Sequence, residues 1–94
     1  MLLERSEILI KEGQEEAFHT AMTETGLRLL TSVPGVISVN MGRGVENPGK
    51  FMLLVQWESM DAHLAFNKSP ACGTLRTLIG RFSRGGQMEH FAMG

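Results

Sequence analysis

The stretch FMLLVQWESMDAHLAFNKSPA, residues 51–71, decides the fold. It opens as a β-strand that is apolar on both faces, because successive side chains of a strand point to opposite sides. One face carries Phe51, Leu53, Val55 and Trp57, and the other carries Met52 and Leu54. A small antiparallel sheet usually buries one face and leaves the other in water. The sequence therefore predicts a second cover for this strand, and in so short a chain we expect that cover to be another copy of the protein.

The rest of this stretch predicts two consecutive helices. Ser59 is a favourable N-cap for a helix from Met60 to about Asn67. Ser69-Pro70 repeats the signal, with serine as the cap and proline at the first helical position. We expect this second helix to end at Gly80 and the glycine pair that follows it. A last short strand is then expected from Gln87 to Met93.

The N-terminal third of the chain predicts a strand followed by a helix. Leu3 to Lys11 alternates as a strand, and Glu15 and Glu16 then suit the first turn of a helix, where the helix dipole favours carboxylates. Thr25-Gly26 places small residues at mid-helix, which predicts a close approach to the sheet. The helix is expected to end before Pro34.

A hairpin follows this helix. Val36 to Gly44 reads as the second strand, and Asn47-Pro48-Gly49-Lys50 is a turn sequence. Proline followed by glycine at the two central positions predicts a type II turn. The second and third strands are therefore expected to pair antiparallel.

The element order β-α-β-β-α-α-β predicts the ferredoxin-like, split β-α-β plan of the α+β class. It consists of a four-stranded antiparallel sheet with helices on one face, in a single domain spanning residues 1–94. The apolar residues left on the other face predict a homodimer in which two sheets pack face to face, a dimeric α+β barrel.

Composition narrows the classes of function. A net charge of −1 without a basic run argues against nucleic-acid binding. The sequence shows neither a secretory leader nor an apolar run of membrane-spanning length, so we expect a cytoplasmic protein without a membrane partner. The single cysteine, Cys72, excludes an internal disulfide. The three histidines lie far apart in the sequence and form no local zinc signature, so no metal site is expected.

Several of these segments resemble the antibiotic biosynthesis monooxygenase (ABM) family, and the similarity extends over nearly the whole chain. It rests on SVPGV (32–36), RGVENPGKF (43–51) and VQWESMDAHLAF (55–66) followed by Ser69-Pro70. The resemblance implies a pocket between helices and sheet beside Trp57. In the quinol-oxidising members it also implies chemistry that uses no metal, flavin or other cofactor.

Two positions depart from the patterns of particular members of that family. Leu53 stands where the polyketide-type oxygenases carry an asparagine, four residues before the tryptophan. Asn67 stands where the haem-degrading members carry a histidine ligand. Haem degradation is therefore not expected here.

Six residues are candidates for a site that binds a small planar apolar molecule. His63 and His90 are the candidate catalytic bases, because the pKa of histidine lies near working pH. The candidate substrate-binding residues are Trp57, Phe18, Phe66 and Asn40. Each residue also has a purely structural interpretation. The aromatic residues could be part of the core, and the histidines could be hydrogen-bonded to the backbone or lie at the dimer interface. Asn40 could occupy an exposed strand position.

The sequence leads to one principal functional hypothesis and leaves two alternatives open. The principal one is a cofactor-independent monooxygenase that oxidises a small aromatic quinol or phenol with O₂. The first alternative is a non-catalytic dimer of the same fold that binds a small molecule. The second is an isomerase that acts on a small metabolite.

Overall fold

Four strands form one antiparallel sheet in the computed structural model of the protein, which describes residues 1–94. The strands are β1 (Leu2–Ile10), β2 (Val36–Arg43), β3 (Lys50–Trp57) and β4 (Ser83–Ala92). Their spatial order is β2-β3-β1-β4, so the first and third strands lie at the centre and β4 is an edge strand. This is the ferredoxin-like α+β fold that the element order predicted.

Helices connect the strands. The first connection contains α1 (Glu15–Ala21), a π-helical segment (Met22–Gly26) and α2 (Leu27–Thr31), which follow one another without interruption. The second contains α3 (Met60–Asn67) and α4 (Pro70–Gly80). The sequence predicted one regular helix over the first connection, and the wider π-helical turn at its middle was not foreseen. Gly26 is buried there, and a side chain at this position would press on Met22 and on Leu75 of α4.

Serine caps fix where the second pair of helices begins, as predicted. The Ser59 hydroxyl accepts a hydrogen bond from the Ala62 N–H at 3.2 Å. The Ser69 hydroxyl accepts one from the Cys72 N–H at 3.4 Å, with Pro70 in the first helical turn. Each cap satisfies an N–H that has no partner within its helix.

The helices cover one face of the sheet, and the alternation of the central strands defines that face. Along β3 every second residue is buried, from Phe51 to Trp57, as the apolar pattern predicted. Along β1 the buried positions include Ile8 and Ile10 but also Glu4 and Ser6. Two polar side chains therefore lie beneath the helices, at the end of the sheet where Trp57 is found.

The hairpin between β2 and β3 is antiparallel, as predicted, but its turn is not type II. A type II turn requires a positive φ at Gly49, and no positive φ occurs there. Instead the Lys50 N–H bonds to the Asn47 carbonyl at 3.0 Å, and the Asn47 side chain accepts from the Gly49 N–H at 3.2 Å. The asparagine side chain thus supports a turn that does not need the conformational freedom of glycine.

The last strand begins at Ser83, earlier than the predicted start at Gln87. Gly85 and Gly86, which were expected to help end α4, belong instead to β4 and pair with Leu9 and Ile8 of β1. A Cβ at Gly86 would collide with the carbonyl oxygen of Glu7. The glycine is needed for the close approach of two strands, a tertiary requirement that looks like a loop signal in the sequence.

Candidate functional site

His63 lies one turn into α3, on the side that faces the sheet. Its side chain is 7% exposed. The ring packs on Trp57 in an edge-to-face arrangement, with the ring centroids 5.1 Å apart. Because the Ser59 cap fixes where α3 begins, it also fixes which way His63 points.

Glu4 of β1 is the carboxylate at this site. Its Oε1 accepts a hydrogen bond from the indole N–H of Trp57 at 3.2 Å and lies 3.1 Å from His63 Nδ1. Ser6 Oγ lies 3.5 Å from the other carboxylate oxygen, at the limit of a hydrogen bond. The carboxylate therefore connects the tryptophan of β3 to the histidine of α3.

His90 reaches the same point from the edge strand. It pairs with Glu4 across the β1–β4 ladder and therefore points to the same face of the sheet. His90 Nε2 lies 3.0 Å from His63 Nε2 and 3.9 Å from Glu4 Oε1. Its side chain is 29% exposed, so this ring joins the buried pair to the solvent.

The two ring nitrogens of His63 differ in their hydrogen bonding. Nε2 shares a hydrogen bond with His90, and Asn67 Nδ2 also lies 3.5 Å from it. Nδ1 is near Glu4 Oε1, but it is not directed at that oxygen and makes no aligned hydrogen bond. The close approach of Nδ1 to Glu4 is thus an electrostatic contact only.

Burial lowers the pKa of His63 below its ordinary value of 6.5. The Glu4 carboxylate raises this pKa, and the His90 ring, when charged, lowers it. The desolvation effect is the largest of the three, so the imidazole is held in its neutral form near neutral pH. A neutral imidazole keeps a nitrogen lone pair that can accept a proton.

A cavity of about 610 Å³ opens beside these residues, between α4 and the β1–β4 half of the sheet. This volume falls in the usual range for small-molecule sites, roughly 300–1,000 Å³. Its polar lining includes His63, His90 and Glu4. Its apolar lining comes from α3, α4 and the sheet and includes Phe66, Leu53 and Leu75. A wider depression of about 1060 Å³ between α1 and α4 is lined by few hydrophobic residues and by no histidine.

The structure brings together some of the predicted site residues. His63, His90 and Phe66 all line the cavity. Trp57 is fully buried and lies behind His63, so it supports the site and does not form the exposed aromatic wall that the sequence led us to expect. The Phe66 ring lies 5.5 Å from the Trp57 ring and provides the apolar wall in its place.

The other two predicted residues lie away from the cavity. Phe18 is buried at the opposite end of β3, where it packs on Phe51 and Phe82. Asn40 pairs with Leu54 on the face of the sheet that the helices leave open. Because strand side chains alternate, Asn40 cannot point into a cavity on the helix side.

Glu4 is the residue that the sequence reasoning missed. It lies on β1, 59 positions before His63 in the chain. A signal was present in the alternation of β1, because counting back from Ile10 and Ile8 places Ser6 and Glu4 on the buried face. A carboxylate at a core position of a strand indicates a buried partner.

The comparisons with known proteins agree with this architecture. The sequence model of the antibiotic biosynthesis monooxygenase family matches residues 1–77. The uncharacterized protein YczJ of Bacillus subtilis (strain 168) is 29% identical over 83 residues, which are 87% of this chain and 86% of YczJ. This chain therefore belongs to the antibiotic biosynthesis monooxygenase family, as the motifs around Trp57 predicted.

Solved structures share the fold. A candidate antibiotic biosynthesis monooxygenase from Bordetella bronchiseptica superposes with a TM-score of 0.87 at 27% identity, over 99% of this chain and 96% of that chain. A variant of SnoaB, a cofactor-independent oxygenase from Streptomyces nogalater, has a TM-score of 0.85 at 14% identity, over 98% of this chain and 91% of that chain. At such low identity the second similarity concerns the fold alone. None of the helices has the length and apolar character of a membrane span.

Proposed function

We propose that the protein is a cofactor-independent monooxygenase that oxidises a small aromatic quinol or phenol with O₂. The observation that carries the proposal is the position of the His63–His90 pair. The Nε2 atoms of the two imidazoles lie 3.0 Å apart at the wall of the cavity, and the Glu4 carboxylate lies behind them. This arrangement provides a proton acceptor at the wall of a cavity that Phe66 and other apolar side chains also line.

The pair would begin the reaction by removing the proton of the substrate hydroxyl. The resulting phenolate is electron-rich and passes one electron to O₂, which gives a substrate radical and superoxide. These combine at a ring carbon that bears hydrogen, and the resulting peroxide takes back the proton from the histidine pair to form a hydroperoxide. Loss of water from this hydroperoxide leaves a second carbonyl. One oxygen atom of O₂ ends in the quinone and the other in water, so the substrate is the only reductant.

Each neighbouring group has a role in this scheme. Glu4 stabilises the imidazolium that forms when His63 accepts a proton, because a carboxylate 3.1 Å away favours the positive charge. His90, whose Nε2 lies 3.0 Å from His63 Nε2, shares the proton until the peroxide takes it back. Phe66 offers an apolar surface to the ring of the substrate. SnoaB, a cofactor-independent oxygenase that shares this fold, supports this class of reaction.

The test is O₂ consumption by the purified protein with a panel of quinols, catechols and anthrones, with a metal chelator present throughout. His63→Gln and His90→Gln remove the two candidate bases separately, and His19→Gln is the matched control on an exposed helix surface. We expect the variant that lacks the catalytic base, whichever of the two histidines it is, to lose about 100-fold or more in kcat. This is the usual effect of removing a general base. The control should retain full activity, and circular dichroism checks that each variant is folded.

Two results would contradict the proposal. If no member of the panel raises O₂ consumption above the buffer rate while a ligand still binds saturably, the protein is a small-molecule-binding module. If both histidine variants keep full turnover, the reaction does not use this pair. Conversion of a substrate without O₂ consumption would instead indicate an isomerase, for which adjacent imidazoles can serve as paired acid and base.

We also propose that the protein is a homodimer that packs through the open face of its sheet. The two central strands place four apolar side chains on that face: Leu3, Leu9, Met52 and Leu54. No helix of the same chain covers them. Two copies related by a twofold axis would bury these residues against each other, which is the arrangement that self-complementary patches favour.

A further inference from the structure

Three side chains with metal-binding atoms meet at the wall of the cavity. Glu4, His63 and His90 each offer one ligand atom, and these atoms all lie within 4.8 Å of one another. They come from β1, α3 and β4, so only the tertiary structure assembles them. We infer that this cluster binds a divalent transition-metal ion through one nitrogen of each imidazole and one oxygen of the carboxylate.

The two imidazole nitrogens already lie at a distance that suits two ligands of one metal ion. Metal–nitrogen bonds of about 2.0–2.1 Å place two nitrogens roughly 2.9–3.4 Å apart on one ion, for bond angles between about 90° and 110°. His63 Nε2 and His90 Nε2 lie 3.0 Å apart. Glu4 Oε1 lies 3.9 Å from His90 Nε2, so the carboxylate would move toward the nitrogens when an ion binds.

The donor set determines the class of ion. Two imidazoles and one carboxylate suit zinc, cobalt or ferrous iron, and they do not form the all-oxygen shell that calcium and magnesium prefer. Three protein ligands would leave a coordination position open to the cavity. The partly exposed His90 gives an ion a route from solvent.

The unpartnered nitrogen of His63 is an independent indication. Nδ1 is buried and makes no hydrogen bond, although it lies 3.1 Å from a carboxylate oxygen. A buried polar atom without a partner is uncommon in folded proteins, because it loses its water without compensation. A bound cation removes this deficit. It either takes the Nδ1 lone pair, or it binds Nε2 while the ring turns so that the proton kept on Nδ1 points at Glu4, the arrangement that supports most metal-bound histidines.

Metal binding would have a functional consequence that rests on the proposed function. The ion occupies the nitrogen lone pairs that the proposed reaction uses to accept a proton. The metal-free protein would then be the active oxygenase and the metal-bound protein an inhibited form. Added Zn²⁺ should stop O₂ consumption, and excess chelator should restore it.

The binding test uses the chelator-treated full chain and ZnCl₂ in isothermal titration calorimetry, without substrate. We expect one zinc ion per chain. His63→Gln, His90→Gln and Glu4→Gln should each weaken zinc binding by about tenfold or more, whereas His19→Gln should leave it unchanged. Co²⁺ added to the same protein should produce visible absorption bands of nitrogen-ligated cobalt, and these bands should be lost in His90→Gln.

The inference fails if zinc does not bind saturably, or if His90→Gln binds zinc and cobalt as the wild type does. His90 is on an exposed edge strand, so its variant is the one expected to fold normally, and circular dichroism verifies this. Because binding is measured without substrate, its result is independent of the proposed oxygenase activity. Zinc that binds without affecting turnover would separate the two proposals and disprove only the inhibition.

Discussion

At the scale of single residues, the candidate site depends on one carboxylate oxygen. Glu4 Oε1 is within 4 Å of groups on three different elements: the Trp57 indole at 3.2 Å, His63 Nδ1 at 3.1 Å and His90 Nε2 at 3.9 Å. The oxygen has a structural role toward the tryptophan, whose N–H would otherwise be buried without a partner. It has an electrostatic role toward the histidines. Substitution can separate these roles.

Glu4→Gln should keep the structural role and remove the charge. A glutamine oxygen still accepts from the Trp57 N–H, so the free energy of unfolding should change by no more than about 1 kcal/mol. The pKa of His63 should fall further, because the carboxylate that raises it is gone. Urea unfolding measures the first effect, and an NMR titration of the His63 ring measures the second.

Glu4→Ala is the companion variant, because it removes both roles at once. We expect it to destabilise the protein by about 1–3 kcal/mol, since the Trp57 N–H is then buried without an acceptor. If Glu4→Gln proved as destabilising as Glu4→Ala, the charge itself would stabilise the fold, and the separation of roles would be wrong.

His63 should also make the stability of the metal-free protein depend on pH. Its folded-state pKa lies below the unfolded value of 6.5, so the unfolded chain binds more protons when the pH lies between the two values. The free energy of unfolding should therefore fall as the pH drops through 6.5, and this loss should end below the folded-state pKa. Glu4 and His90 face this ring, and their charges act on the pKa of His63 in opposite directions.

Urea unfolding in chelator between about pH 8 and pH 5 measures this dependence. The comparison is between the wild type, His63→Gln and the exposed-site control His19→Gln. The pH-dependent loss should be smaller in His63→Gln and unchanged in His19→Gln. Parallel curves for all three proteins would show that His63 titrates alike in the folded and unfolded chain.

At the scale of elements, the edge strand β4 controls whether His90 reaches the site. The strand must lie close enough to β1 for His90 to pair with Glu4, and Gly86 permits that approach near the other end of the ladder. Gly86→Ala should destabilise the fold by about 1–3 kcal/mol, because the new methyl group meets the Glu7 carbonyl of the neighbouring strand.

Gly73→Ala is the matched control for this substitution. Gly73 lies on the exposed side of α4, where an added Cβ has no atom within 4 Å. In a helix the same change should stabilise by about 0.5–1 kcal/mol, because alanine loses less backbone entropy on folding. Urea unfolding of the two variants should therefore give effects of opposite sign. Destabilisation by both would mean that loss of glycine, and not the contact at β1, is responsible.

At the scale of the whole molecule, the open face of the sheet is the surface through which we propose that two copies associate. Apolar side chains of the central strands share that face with charged residues, which form the pairs Arg5–Glu89 and Lys50–Glu7. A surface of this kind suits a partner that is itself half apolar. A second copy of the same sheet has that composition.

Leu54→Glu should dissociate the proposed dimer, because it places a charge at the centre of the open face. Sedimentation equilibrium should give twice the chain mass of 10.4 kDa for the wild type and the single chain mass for the variant. Leu64→Glu is the matched control, since Leu64 is exposed on α3 at 47% and away from that face. A wild type that sediments as a monomer would contradict the proposed dimer directly.

The sequence by itself determined the elements and their order. Period-2 alternation, the serine caps at Ser59 and Ser69, and the turn residues after β2 are local signals, and each depends on neighbours in the chain. The open apolar face was likewise visible in the alternation of β3. These features were predictable because the physical cause of each lies within a few residues.

Only the tertiary structure decided the site. Glu4, His63 and His90 lie on three elements far apart in the chain, and their contact depends on strand order and register, which no local pattern specifies. The same register placed Asn40 on the open face and buried Trp57 behind His63. It also required a glycine at position 86, where the sequence suggested a helix end. The sequence specified what each segment forms, and the packing of distant segments specified which side chains meet.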